Sequence, residues 1–88
     1  MKLKYSFETV EMGNEYVSVP IGESANVLRG VIKLNHEGAE ILDLLKTETT
    51  EEQIIDTIAA KYENDRETIA RYVHQAIKVL RENDLIID

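Results

Sequence analysis

The sequence predicts an α+β domain in which a small antiparallel sheet precedes a helical half. Three observations predict it. Up to Leu34, apolar and polar residues alternate at the period of a strand. Beyond Asn35, the apolar residues recur at the period of a helix. Asn35 and Thr50-Glu51-Glu52-Gln53 are helix-start signals at the head of apolar-periodic runs. The length of 88 residues sets the scale: one domain, 1–88, with a single modest core.

The first strand is expected over Tyr5 to Met12, with Tyr5 and Phe7 on one side and Ser6 and Glu8 on the other. Gly13-Asn14 reads as a turn. The second strand, Tyr16 to Ile21, is β-branched and aromatic, with Val17, Val19 and Ile21 on one face. Pro20 cannot donate to a ladder, so the strand ends there or lies at an edge. Residues 22–26 read as a loop. Leu28 to Leu34 form the third strand, with Leu28, Ile32 and Leu34 on one face and Arg29, Val31 and Lys33 on the other. Gly30 inside it marks a bulge or a close backbone approach. Short connections make the three strands an antiparallel meander.

Asn35 caps the first helix, whose buried side is Ala39, Ile41, Leu42 and Leu45. Lys46 to Thr49 connect it to a second helix started by the capping box at Thr50, with Ile54, Ile55, Ile58 and Tyr62 facing inward. Asn64 or Asp65 caps a third helix that runs to about Asn83. Leu85, Ile86 and Ile87 form an apolar tail that packs back on the core. Strands followed by three helices are compatible with a winged-helix-like arrangement, although the order differs from the usual one.

The third helix carries one stripe, Ile69, Val73, Ala76, Ile77 and Leu80, that seats it on the core. Tyr72 and Val79 widen that stripe. On pattern alone two readings stay open. They cover a loop or the tail, or they form one wall of an open groove.

Composition excludes several functions. With 10 basic and 17 acidic residues the chain carries −7, which opposes a nucleic-acid backbone or an anionic membrane surface. Arg66, Arg71, Lys78 and Arg81 on the third helix alternate with Glu67 and Glu82, so they read as solvating charges with some acidic partners one turn away. No Cys is present, which removes disulfides, thiolate zinc sites and thiol nucleophiles. No stretch approaches the roughly 20 apolar residues of a membrane span. Ser6, Glu8, Thr9 and Glu11 interrupt what would be a signal sequence after Met1 to Lys4, so the expected compartment is the cytoplasm.

Catalytic patterns are equally missing. His36 and His74 have no ligand partner at metal spacing and read as exposed or capping histidines. Ser6, Ser18 and Ser24 sit in no nucleophile elbow, and no Gly-rich phosphate loop occurs. An acyl carrier would need an exposed Asp-Ser-Leu, and no Asp-Ser pair exists. The expectation is a non-enzyme without cofactor or metal.

Leu34-Asn35-His36-Glu37-Gly38-Ala39 resembles a motif of the PqqD family, the RiPP recognition elements. Ile41-Leu42-Asp43-Leu44-Leu45, Thr50-Glu51-Glu52-Gln53-Ile54, Tyr62, then Val73, Ile77, Leu80 and Leu85-Ile86 continue it in order. The likeness spans Tyr5 to Ile87. Leu42 stands where many members have Trp, Lys46-Thr47 replaces a common Asp-Gly, and Asp84 replaces a Gly, so Asn83 or Asp84 must adopt the left-handed conformation.

The resemblance implies a module that binds the leader peptide of a ribosomally synthesised precursor. It would present that precursor to a modifying enzyme, often a radical SAM enzyme. In this chain the guest strand would add to Arg29, Gly30, Val31, Ile32 and Lys33, with its apolar side chains against Tyr72, Ala76 and Val79. Arg29, Lys33 and Arg71 either pair with leader acids or serve solubility. About five ladder bonds at a net 0.5–1.5 kcal/mol each barely offset the roughly 2–5 kcal/mol needed to order the peptide, so apolar burial must decide affinity. The alternative is an assembly domain whose third helix docks a partner protein or forms a homodimer.

Overall fold

The computed structural model describes residues 1–62 and 65–88. Its central sheet is antiparallel in the order β2 (Phe7–Met12), β3 (Glu15–Pro20), β4 (Ile32–Leu34). Gly13, at φ 67°, and Asn14 close the first hairpin as a two-residue loop between Met12 and Glu15. That loop fixes the register, Phe7 opposite Pro20 and Val10 opposite Val17. β3 ends at Pro20, as its missing N–H requires.

The register decides which face of β3 points inward. Phe7 is buried, so parity across the ladder turns Ser18, not Val17 and Val19, toward the interior. Ser18 is fully buried and its hydroxyl accepts from Thr9 Oγ1 at 3.2 Å. β-branched composition leaves this choice open, because side-chain period sets the alternation and not its sign.

Two elements were not expected. β1 (Lys2–Leu3) pairs with β5 (Ile86–Ile87), Leu3 opposite Ile86, in a second, two-stranded sheet. The C-terminal residues thus return to the core as strand, with Leu3 and Ile86 both buried. Asp84 makes the turn that permits this at φ 56°, and Lys4 Nζ holds its carboxylate at 2.8 Å. The segment expected as loop after β3 contains the single turn α1 (Ser24–Val27), whose Ser24 Oγ accepts from Ser6 N at 2.9 Å.

The remaining three helices follow the sequence closely. α2 (His36–Leu44) is capped by Asn35, whose Oδ1 accepts from Gly38 N at 2.8 Å. α3 (Glu51–Lys61) begins with a complete capping box between Thr50 and Gln53. α4 (Arg66–Glu82) is capped by Asp65, whose carboxylate accepts from Thr68 N at 2.8 Å and from its hydroxyl at 2.9 Å. These bonds, above all that from Thr68 N, hold the Asp65 carboxyl below its ordinary pKa. The other candidate cap, Asn64, lies outside the described residues.

The core forms where α2, α3 and α4 meet, with Leu45, Ile54 and Val73 at 0% exposure. The charged face of α4 is solvated, but its ion pairs reach other elements: Arg66 to Asp56 at 2.6 Å, and Arg81 to Asp88.

Candidate functional site

β4 is the last strand of its sheet, and among the described residues no strand pairs with its outer edge. α4 passes that edge in the opposite direction, so Tyr72 stands near Asn35 while Val79 and Asn83 stand near Leu28 to Ile32. The space between strand and helix is an open groove with two lobes.

The inner lobe holds about 280 Å³ and is almost wholly apolar, lined by Ile32, Leu34, Ile41, Leu42, Tyr72, Ala76 and Val79 with the Gln75 amide at its margin. The outer lobe holds about 470 Å³ and lies among Leu28, Arg29, Gly30, Val31, Ile32, Lys33, Val79 and Asn83. Ile32, Lys33, Val79 and Leu80 border both. Tyr72 and Val79 remain 41% and 46% exposed and both border the groove, Val79 together with the 28–31 loop and Leu85. Ile86 and Ile87 of the tail lie in β5.

The structure therefore gathers eight of the nine residues singled out from sequence. Arg71 lies beside Tyr72 on α4, exposed, and lines neither lobe. The strand differs from expectation. It spans Ile32 to Leu34, not Leu28 to Leu34, because Gly30 sits at φ 104°, outside the strand region. A Cβ on Gly30 would meet nothing within 4 Å, so this glycine serves backbone conformation and not close approach. A strand of three residues offers a guest about three ladder bonds instead of five, which shifts still more of the required binding energy onto apolar contact.

Gln75 and Asn83 were missed. They fall on the same helix stripe as Tyr72, Ala76 and Val79, and attention to i, i+3, i+4 and i+7 spacing without regard to polarity would have found them.

A second concavity of about 400 Å³ opens on another face of α2, lined by Glu11, Tyr16, His36, Glu40, Asp43 and Lys61 among others. Glu40 is its hub. Oε1 accepts from Tyr62 Oη at 2.7 Å and faces His36 Nε2 at 3.1 Å, and Lys61 Nζ lies 3.5 Å from Oε2. Tyr16 Oη bonds His36 Nδ1 at 2.9 Å. The bond to Glu40, with desolvation, pushes the Tyr62 phenol up to about 12. This network ties β3, α2 and the end of α3 together, so His36 is exposed as expected yet structurally engaged. His74 is exposed and lies 3.3 Å from Glu51.

Among the described residues no group of three or more His, Cys, Asp or Glu side chains converges on a metal position. No helix among them is long and apolar enough to cross a membrane.

Comparison with known proteins bears on the fold and the family. No curated protein matches the chain. A solved structure, "TbiB1 in Complex with the TbiA(beta) Leader Peptide", superposes with a TM-score of 0.71 at 24% identity, covering 100% of both chains. At that identity the likeness establishes the fold. The family profile described as "Coenzyme PQQ synthesis protein D (PqqD)" matches residues 15–86, from the start of β3 into β5. The chain belongs to the PqqD family.

Proposed function

We propose that this protein binds the leader peptide of a ribosomally synthesised precursor and presents it to a modifying enzyme, often of the radical SAM class, in the cytoplasm, with no chemistry of its own. One observation carries the reading: among the described residues no strand pairs with the outer edge of β4 and no side chain fills the apolar seam between that edge and α4. Membership of the PqqD family and the shared fold of TbiB1, a protein bound to a leader peptide, support it.

In this reading the leader adds antiparallel or parallel to Ile32–Leu34, extending toward Val31, Gly30 and Arg29 where the groove widens. Its alternate side chains enter the two lobes beside Tyr72, Ala76 and Val79. Each large side chain buried there contributes roughly 1.5–3 kcal/mol, so two of them together with the ladder bonds outweigh the roughly 2–5 kcal/mol cost of ordering the peptide. Arg29 and Lys33 at the rim favour a leader carrying acidic residues, despite the overall charge of −7.

Titration of ¹⁵N-labelled protein with the synthetic leader of a candidate precursor, chosen from short reading frames beside its gene, tests the reading. Amide shifts should concentrate at Arg29 to Leu34 and along Tyr72, Ala76 and Val79. Shifts absent from this seam, or a homodimer in light scattering that buries α4, would favour an assembly role.

A further inference from the structure

We infer that the bound peptide carries an acidic residue opposite Lys33, flanked on each side by an apolar residue facing α4, an inference that rests on strand addition at β4. The ladder sets this register. Ile21 N donates to Ser6 O at 3.0 Å, one step beyond the Phe7–Pro20 pair. Backbone groups along an antiparallel strand alternate between its two neighbours. Val19 and Val17 therefore turn theirs to β2, whereas Ser18 and Tyr16 turn theirs to Ile32 and Leu34 of β4. Pro20, with no N–H to give, falls in the set turned away from β2. Lys33, between Ile32 and Leu34, is left with both its N–H and its C=O pointing out from the free edge. That edge is bounded at both ends. Asn35 C=O accepts from Ala39 N at 3.0 Å, and Gly30 leaves the strand at φ 104°. A guest strand is thus centred on Lys33.

Side chains follow the same parity whichever way the guest runs. Lys33 lies opposite Val17, whose neighbour Ser18 is buried, so Lys33 projects from the outer face of the sheet and is exposed. Ile32 and Leu34 project inward and pack against the core. A guest residue opposite Lys33 shares its face, and the residues before and after it point into the apolar seam beside Tyr72, Ala76 and Val79. Lys33 has no carboxylate of its own. The lysine and arginine ion pairs among the described residues use Lys4, Lys46, Lys61, Arg66 and Arg81. An ammonium without an intramolecular partner favours Asp or Glu directly across the ladder. The net charge of −7 would by itself favour a basic peptide; the local register reverses that preference. The ligand class is an extended peptide with one acid between two apolar residues.

A displayed library of random 12-residue peptides, selected in parallel on the wild-type protein, Lys33→Glu, Lys33→Gln and Arg71→Glu, tests the register. Lys33→Glu and Arg71→Glu change the net charge equally, but Arg71 lines neither lobe. Selected peptides are aligned on two apolar residues spaced i, i+2. Between them the wild type and Arg71→Glu should enrich Asp and Glu over neutral residues about 2- to 5-fold per round, the equivalent of an exposed ion pair. Lys33→Glu should enrich Lys and Arg there to a similar degree, and Lys33→Gln should show no charge preference, with the apolar pair retained in both. The same middle residue on the wild type and Lys33→Glu, or peptides lacking the apolar pair, would overturn the register while leaving strand addition standing. Equal loss of the acid on Arg71→Glu would overturn it as well, by tracing the preference to net charge. Failure of the wild type to enrich any peptide would overturn strand addition, and this register with it.

Discussion

Ala76 stands beside the inner lobe, half-buried, on the stripe that otherwise seats α4 on the core. Replacing it with leucine makes opposite demands on folding and binding. In a tightly packed interior the added carbons would cost about 1–3 kcal/mol through overpacking. Here they meet an apolar space of about 280 Å³. Three carbons at about 0.8 kcal/mol each give at most about 2.4 kcal/mol when fully buried. Partial exposure and about 0.5–1 kcal/mol of lost rotamer freedom reduce this to a net gain near 1 kcal/mol. For a domain of this size that corresponds to a rise in Tm of about 4–8 °C. The same side chain occupies the place of the leader's anchor. Loss of one buried apolar group, about 1.5–3 kcal/mol, weakens leader binding roughly 10- to 150-fold. Urea unfolding followed by circular dichroism and titration of the leader by fluorescence anisotropy measure the two effects. Destabilisation of Ala76→Leu with leader affinity unchanged would refute the argument, since it would show the lobe to be closed in solution and unused by the guest.

Four further outcomes follow from other parts of the fold. Tyr72→Ala should weaken leader binding by about 1–3 kcal/mol while unfolding changes by less than about 1 kcal/mol; equal losses would make Tyr72 ordinary core. Leu45→Ala, at a position with 0% exposure, should lower unfolding free energy by about 2–5 kcal/mol, and a loss under 1 kcal/mol would contradict its place in the core. Thr50→Ala removes one half of the capping box and should lower the urea midpoint by the equivalent of about 1 kcal/mol with the slope unchanged. In alkaline spectrophotometric titration Tyr62 should ionise near 12, after the ordinary tyrosine range. Because its folded pKa is raised, its stabilising contribution is complete below the unfolded value near 10 and is lost as pH rises toward 12; its disappearance on Glu40→Gln substitution checks the cause.

Much of the helical half was legible in the sequence because its signals are local. Asn35, Thr50 and Asp65 each satisfy an N–H within the next three residues, and the spacing of Ile69, Val73, Ile77 and Leu80 assigns a buried face without reference to any partner. The sheet was less legible. Val17 and Val19 have strand propensity on either face, and only the pairing of Phe7 with Pro20 decides that Ser18 points inward. β1 is two residues long and gains its identity from Ile86 and Ile87, more than 80 positions away in the chain. Gly30 announced an irregularity, but its φ, which shortens β4, depends on how the chain returns from α1 to the sheet.

The candidate site divides along the same line. The residue types of one strand and one helix face, with their resemblance to a known peptide-binding family, point to the residues that border the groove. Side-chain period and capping are properties of neighbouring residues, so a linear reading reaches them. That the two walls stand apart, that Arg71 lies outside the lobes and that Asn35 reaches Tyr72 across 37 positions were decided by tertiary packing alone. An unfilled space belongs to no residue; it is set by the distance at which α4 is held from β4, which depends on every core side chain beneath them.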